Sequence, residues 1–221
     1  MHTHFEKELD ELKENLLTMA SLATAAVRNA IRALVDRDDD LARKVKQDDN
    51  EIDRHEIEVD EMAIQLLAKA PLASDLRLIT VAMKISHDLE RVGDESTTIA
   101  RRSIELGQEP QLKPYTDISR MAAMALDMLN DGLAAFVNRL PEKARAVIPL
   151  DKEVDALNKQ LQRELANFMI QKPECISRCL HLMTISKSLE RIADHATNIA
   201  EEVVFLYEAR DIRHAARKAD S

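Results

Sequence analysis

Two short acidic motifs in this chain are near copies of each other and carry side chains suited to binding a cation. Glu90 and Asp94 lie four residues apart, and Glu190 and Asp194 repeat this spacing one hundred residues later. On an α-helix, residues four apart project within about 40° of each other, so each pair would present two carboxylates side by side. Carboxylate oxygens are the ligands that hard divalent cations prefer. The spacing therefore indicates a duplicated metal site.

A second carboxylate pair accompanies each motif, on the helix before it. We expect the two pairs of each half to lie on adjacent antiparallel helices of one bundle, where four carboxylates can converge. Duplication of the whole set favours a shared role for its members. The eight candidate metal ligands are Asp49, Asp53, Glu90 and Asp94 in the first half, and Asp151, Asp155, Glu190 and Asp194 in the second.

A solvated acidic face would explain the same spacing without any metal. Because 32% of the residues are charged, acids four apart arise often by chance. Like charges at this spacing cost only roughly 0.2–0.5 kcal/mol per pair, which a surface helix tolerates. On a helical wheel, Glu90 and Asp94 lie roughly 150° from the centre of their helix's apolar stripe, so we expect them at the surface or in a groove. Both interpretations stay open at this point.

The acidic stripe of the second helix continues beyond the duplicated pair in the first half only. Glu56 and Asp60 extend it, whereas the matching residues of the second half are Asn158 and Gln162. Within that stripe only the Asp-x-x-x-Asp pair is kept in both halves. Glu51 and Glu153 are also duplicated but lie roughly 160° away around the helix, so duplication is supporting evidence only. This selectivity favours retained ligands over a general acidic face.

Two histidines adjoin the acidic motifs. His87 precedes Glu90 by three residues, and His195 directly follows Asp194. Neither has a histidine counterpart, since position 187 is Lys and position 95 is Glu. We therefore leave both histidines outside the predicted ligand sets.

The composition predicts an all-α protein. With 3 Gly, 6 Pro and 3% aromatic residues, the chain has few turn formers, and helix-favouring Ala, Leu, Glu, Lys, Arg and Met are abundant. Apolar residues recur at three- and four-residue steps, which is typical of amphipathic helices. The predicted helices span about 9–37, 41–69, 74–107, 115–138, 141–171 with a break at Pro149, and 174–210.

The chain is organised as two similar halves. The segment 107–114 is rich in turn residues, and the helical pattern begins again after it. Short matches such as Ala33–Arg37 with Ala135–Arg139 extend the repeat beyond the acidic motifs. We predict two tandem three-helix bundles related by internal duplication, with domains at 1–107 and 115–212.

The net charge and the hydropathy of the chain exclude some classes of partner and predict its cell compartment. The net charge of −9 argues against a nucleic-acid surface, because phosphate binding needs clustered positive charge. No stretch approaches the roughly 20 apolar residues of a membrane span, and the polar start lacks a signal-peptide core. We expect a cytoplasmic protein that reaches a membrane only through its partners.

Together these motifs resemble the PhoU family. The shared features are Asp-x-x-x-Asp on the second helix of each half, Leu-Glu-Arg-[Ile/Val]-x-Asp-x-x-Thr-x-Ile-Ala on the third, and Asp75-Leu-Arg77 at the start of the first half's third helix. The resemblance covers the chain from about Phe5 to Tyr207. The paired motif set is far more specific than any one of its parts.

The resemblance implies a regulatory adaptor, not an enzyme. Such a protein would assist the high-affinity phosphate transporter and negatively regulate the phosphate-starvation (Pho) response, linking the transporter ATPase subunit PstB to the sensor histidine kinase PhoR. It would form a homodimer and hold Fe, Zn, Mn or Mg ions at the eight acidic positions given above. The second half departs from the pattern, because Arg101-Arg102 is answered by Glu201-Glu202, so we expect the halves to face different partners.

Two other functions compete with the adaptor. One is a metal-free helical scaffold. The other is a di-iron carboxylate enzyme, which uses Glu-x-x-His ligands that point into a helical core. None of the seven histidines has Glu three residues before it, which disfavours the enzyme.

Overall fold

The computed structural model of the chain describes residues 4–69 and 71–212. Within these ranges the regular structure is helical throughout, which confirms the all-α prediction. The α-helices are α1 (His4–Asp36), α2 (Asp39–Leu67), α3 (Ala73–Gly107), α4 (Thr116–Asn138), α5 (Pro141–Val147), α6 (Asp151–Gln171) and α7 (Ile176–Glu208). Among the described residues, no helix is both long and apolar enough to cross a membrane.

The helices form two three-helix bundles in tandem, as predicted. Helices α1, α2 and α3 pack on one another in the first half, and α7 packs on α4, α5 and α6 in the second. The bundles meet chiefly along α3 and α7, with a smaller contact between α1 and α4. The segment 108–115 joins them.

Turn chemistry explains where the helices break. Asp38 caps the start of α2, since its carboxylate accepts a hydrogen bond from the Leu41 amide at 2.9 Å. The matching residues Arg37 and Arg139 take the left-handed conformation at φ 56° and 57°, which ends α1 and α4. In the second half, Pro149 lies in a 3₁₀ turn that separates α5 from α6, whereas α2 runs unbroken. The predicted break is confirmed.

Helices α3 and α7 form the centre of the molecule. Helix α3 packs against α1, α2 and α7, and α7 packs against α3 as well as the helices of its own bundle. Leu89 and Leu189 occupy matching positions and are both fully buried. Because each central helix is covered on several sides, little of its circumference faces solvent.

Polar pairs cross the contact between α3 and α7. Arg191 donates to Glu95 at 3.0 Å, and His195 Nδ1 lies 2.8 Å from Asp88 Oδ1. A third pair, Lys84 with Glu202, is also 3.0 Å long. The partners differ from those that strict two-fold symmetry would give, so the halves are related but not equivalent.

The inverted charges at 101–102 and 201–202 do not all face outward. Glu202 is only 5% exposed and pairs with Lys84 across the contact between the halves, so this acid does not contribute to an outer surface. The wrapping of α7 by its neighbours covers this position. Arg102 instead pairs with Glu105 on its own helix, at 2.7 Å.

Candidate metal centres

The first carboxylate set lies where α2 packs against α3. Asp49 and Asp53 come from α2, and Glu90 and Asp94 come from α3. Asp49 is an electrostatic neighbour of both Asp53 and Asp94, and Glu90 is a neighbour of Asp94. The four predicted residues thus lie along one contact between two helices, although no three of them place oxygens within 4.8 Å of one another.

Crowding in the first set destabilises the ionised carboxylates. Burial, and then the charges of Asp53 and Asp94, raise the pKa of Asp49 to about 6. Burial and the charge of Asp94 also raise the pKa of Glu90. A cation bound among these groups would relieve the repulsion that raises both pKa values.

The second set repeats this arrangement between α6 and α7. Asp151 is an electrostatic neighbour of Asp155 and Glu190, and Asp194 has Asp151, Glu190 and Asp155 as its own acidic neighbours. Burial raises the pKa of Asp151. Loss of solvent around the Asp194 carboxyl, and then the charges of Asp151 and Glu190, raise its pKa to about 6.

The predicted exposure of these side chains is only partly right. Asp53 is exposed and the Asp94 side chain is 48% exposed, as the helical wheel indicates. The Glu90 side chain, however, is only 17% exposed, which places it inside a groove, and Glu190 is buried at 9%. The surface prediction is wrong for Glu190, because the wheel treats one helix alone and α7 has neighbours on several sides.

Three carboxylate oxygens in the two sets are buried without a hydrogen bond. They are Oε2 of Glu90, Oε2 of Glu190 and Oδ1 of Asp151. Glu90 Oε2 lies 3.3 Å from Arg91 Nε, but the N–H is not aimed at it, so the lone pairs stay uncommitted. The buried oxygens of Glu90 and Asp151 that accept no hydrogen bond fit a hard cation, whereas the Lys187 ammonium already contacts both oxygens of Glu190. The donor sets therefore suit the metal ions that the resemblance implies.

Different cations accompany the two sets. Arg91 is the partner of Glu90 and also lies 3.2 Å from Asp94. In the second set, Lys187 Nζ contacts both oxygens of Glu190 and is 2.6 Å from Oε1. Lys159 lies 3.5 Å from Asp155. The second set thus has two lysine partners within the protein, and the first has a single arginine.

A glycine in α3 makes room for the first set. A Cβ atom at Gly93 would lie 2.7 Å from Asp49 Oδ1 and 3.0 Å from Ile52 Cδ1. The matching residue of the second half is Ala193. Asp49 can therefore approach the backbone of α3 more closely than the corresponding aspartate approaches α7. Sequence reasoning gave no reason to expect this difference.

The histidines next to the motifs have separate surroundings. His87 lies with Glu56 and Glu90, and one ligand atom from each of the three falls within 4.8 Å of the others. His195 is instead hydrogen-bonded to Asp88 in the contact between the halves. Sequence reasoning missed the first grouping, although the three-residue spacing of His87 and Glu90 on one helix was a signal for it.

The chain is similar to known proteins over almost its whole length. The chain is 39% identical over 212 residues to the phosphate-specific transport system accessory protein PhoU homolog of Pseudomonas aeruginosa, covering 95% of this chain and 88% of that protein. The crystal structure of PhoU from Pseudomonas aeruginosa matches with a TM-score of 0.91 and 38% identity, covering 94% of this chain and 100% of that one. The crystal structure of the phosphate transport system regulatory protein PhoU from Streptococcus pneumoniae matches with a TM-score of 0.88 and 29% identity, covering 95% and 99%.

The family model agrees with the internal duplication. The PhoU domain matches the chain twice, over residues 16–103 and 118–203. The two matches fall on the two three-helix bundles, and each contains one complete set of the candidate carboxylates. The motifs, the fold and these similarities show that the chain belongs to the PhoU family.

Proposed function

We propose that this protein is an accessory protein of a phosphate transport system that acts as a metal-binding regulatory adaptor and negatively regulates the phosphate-starvation (Pho) response. Its relatives carry the descriptions "phosphate-specific transport system accessory protein" and "phosphate transport system regulatory protein". High identity over almost the whole chain supports the transfer of that role. The proposed contacts are the transporter ATPase subunit PstB, the sensor histidine kinase PhoR and a second copy of the chain.

The observation that carries the metal-binding part is that four carboxylates lie along one helix contact in each half. Burial, and then their mutual repulsion, raises pKa values in both sets, and buried oxygens of Glu90 and Asp151 accept no hydrogen bond. Fe, Zn, Mn or Mg would supply positive charge that holds two helices of a bundle together. The ligands would be the eight residues predicted from the sequence. Their role in this proposal is to bind and orient, with no bond made or broken.

The di-iron enzyme fits the geometry poorly. Such centres place their ligands inward, in the core of a helical bundle. Here Asp53 is exposed and the Asp94 side chain is 48% exposed, so these two carboxylates of the first set face solvent. The metal-free scaffold differs from the adaptor only in what the carboxylates do, and it is decided by experiment.

Deletion of the gene in its host tests the regulatory role. A reporter driven by a phosphate-starvation promoter should become active in phosphate-rich medium, and the intact gene should restore repression. A complementing gene with Glu90→Ala and Glu190→Ala should fail to restore it. The matched control changes Glu51 and Glu153 to Ala, because these duplicated acids are exposed and lie outside the sets. An unchanged reporter after deletion would contradict the regulatory role, and full rescue by the Glu90 and Glu190 variant would support a metal-free scaffold.

A further inference from the structure

The two halves have equivalent grooves whose charges differ. The groove of the first half has a volume of about 570 Å³ and is lined by the acids Glu56, Asp60, Asp88 and Glu202, among others. The groove of the second half has a volume of about 450 Å³. The residues that replace Glu56, Asp60 and Asp88 there are Asn158, Gln162 and Ser188. The first groove thus has four acids beside Lys84 and His87, whereas the lining of the second groove has Lys187 and Arg191 and no acid, so a mainly negative lining has become positive.

Three potential ligands converge at the edge of the acidic groove. Oxygen atoms of Glu56 and Glu90 and a ring nitrogen of His87 lie within 4.8 Å of one another. His87 Nδ1 is 3.2 Å from Glu56 Oε1. The Glu90 side chain is largely buried, and its Oε2 accepts no hydrogen bond. Two elements, α2 and α3, hold the three side chains, so the spacing is set by helix packing.

The second half has different residues at the positions that match His87 and Glu56. Lys187 replaces His87, and its ammonium contacts both oxygens of Glu190, the counterpart of Glu90. Asn158 replaces Glu56 and is held by hydrogen bonds to Ser186 and Gln162. The second half therefore places an ammonium on both oxygens of its buried glutamate, whereas in the first half the Arg91 guanidinium lies 3.3 Å from Glu90 Oε2 without a hydrogen bond. The first half also places an imidazole and a second carboxylate beside Glu90, which together can hold a cation from solution.

We propose that Glu56, His87 and Glu90 form a divalent transition-metal site of the Zn²⁺ class that is present in the first half only. Imidazole with carboxylate is a ligand combination that Zn²⁺ accepts, and three protein ligands leave a coordination position open toward the groove. The inference goes beyond the proposed function, because Glu56 and His87 lie outside the eight carboxylates and make the two halves chemically different.

Zinc titration of the intact, chelator-stripped protein tests the site. Zn²⁺ is added against a chromophoric competitor, and the imidazole signals are followed by NMR. The His87 signal should shift on zinc binding. His87→Lys and Glu56→Asn, which copy the second half, should each lose one zinc equivalent or weaken it by more than the roughly 10–100-fold that loss of an outer-shell partner costs.

A second histidine–glutamate pair provides the matched control. His181 Nδ1 lies 3.1 Å from Glu105 Oε2, and the described residues supply no third ligand to this pair. His181→Lys should therefore keep the full zinc stoichiometry, and the His181 signal should not shift. Circular dichroism of each variant shows whether the helices are intact, and Glu56→Asn decides the question if His87→Lys does not fold.

The outcomes separate this inference from the proposed function. Equal zinc binding by the unaltered chain, His87→Lys and Glu56→Asn, with no shift of the His87 signal, overturns the Glu56–His87–Glu90 site and leaves the carboxylate sets standing. Loss of binding in Asp49→Asn with Asp53→Asn, together with an intact His87 shift, supports two separate sites. Failure of the unaltered chain to bind any metal overturns both proposals.

Discussion

The carboxylate sets of the two halves share their acids but differ in almost everything next to them. In the first half, Gly93 lets Asp49 approach α3, and His87 adjoins Glu90. In the second half, alanine replaces the glycine, and Lys187 lies on Glu190. The acids were kept through the duplication while their neighbours changed.

Because the residues next to the acids differ, the two sets need not bind metal equally. The Lys187 ammonium contacts both oxygens of Glu190 and must be displaced or tolerated when a metal binds, whereas Arg91 lies 3.3 Å from one oxygen of Glu90 and makes no hydrogen bond to it. We therefore expect the first set to bind divalent cations more tightly than the second. Variants of the two halves test this difference, and the variant with the largest expected effect comes first.

The two central helices should be equally important for stability, even though the sites differ. Leu89 and Leu189 are both fully buried at matching positions. Leu89→Ala and Leu189→Ala should each lower the free energy of unfolding by about 2–5 kcal/mol, because each leaves a cavity in a packed core. Urea denaturation measures the change. A large loss from one variant and none from the other would show that the halves are not structurally matched.

Replacement of Lys187 should cost more stability than replacement of His87, the residue at the matching position in the first half. Lys187→Ala leaves the largely buried Glu190 without its partner, and we expect a loss of about 1–2 kcal/mol in metal-free buffer, less than for a fully buried pair because Lys187 is half-exposed. His87→Ala removes a side chain that is 59% exposed, so its effect should be within about 0.5 kcal/mol.

Lys13→Ala is the control for Lys187→Ala, since Lys13 pairs with Asp10 three residues away, and the Asp10 side chain is 55% exposed whereas that of Glu190 is 12% exposed. It should change stability by less than about 0.5 kcal/mol. If Lys13→Ala and Lys187→Ala behave alike, the ammonium on Glu190 has no special role.

The metal-free protein should become less stable as the pH rises from about 4 to about 6. The pKa of Asp49 is raised from 3.8 to about 6, so in this window the folded chain binds more protons than the unfolded chain, and stability falls with pH. Asp49→Asn removes the charge and should stabilise the protein by about 1 kcal/mol at pH 7, after allowance for partial solvent exposure, and by almost nothing at pH 4. Thermal unfolding in chelator at the two pH values measures this, and an equal gain at both would contradict the assignment.

The glycine difference should act mainly on metal affinity. Gly93→Ala places a methyl group 2.7 Å from Asp49 Oδ1, so the carboxylate must move away from α3. The gain in helix propensity, about 1 kcal/mol, offsets the strain, and net stability should change by less than that amount. Metal binding by the first set should weaken toward that of the second, as measured by titration calorimetry. Unchanged affinity would show that the close approach of Asp49 is unimportant.

Local patterns predicted the helices because each helix has one apolar stripe and clear stop signals. Asp38 and Pro149 fix helix ends through their own backbone chemistry, so no tertiary information was needed for them. The convergence of the acids also followed from sequence, since two adjacent antiparallel helices with matched pairs can hardly avoid it.

Such local patterns could not predict which polar side chains of the central helices α3 and α7 are buried. The low exposure of Glu202 arises where the halves meet and that of Glu190 arises where α6 packs against α7, and no property of α7 alone shows which neighbours cover these side chains. The grouping of Glu56 with His87 depends on how far α2 is shifted along α3, which periodicity leaves undetermined. Tertiary register, more than helix formation, limited the prediction of the site.

Metal content tests the central claim most directly. The protein and two double variants, Asp49→Asn with Asp94→Asn and Asp151→Asn with Asp194→Asn, are purified in parallel, loaded with Mn²⁺ or Zn²⁺, desalted and measured by elemental analysis. We expect each variant to lose the metal of one half, with the larger loss in affinity for the first-half variant. Equal metal content in the unaltered protein and both variants would contradict the claim that the duplicated carboxylates are metal ligands.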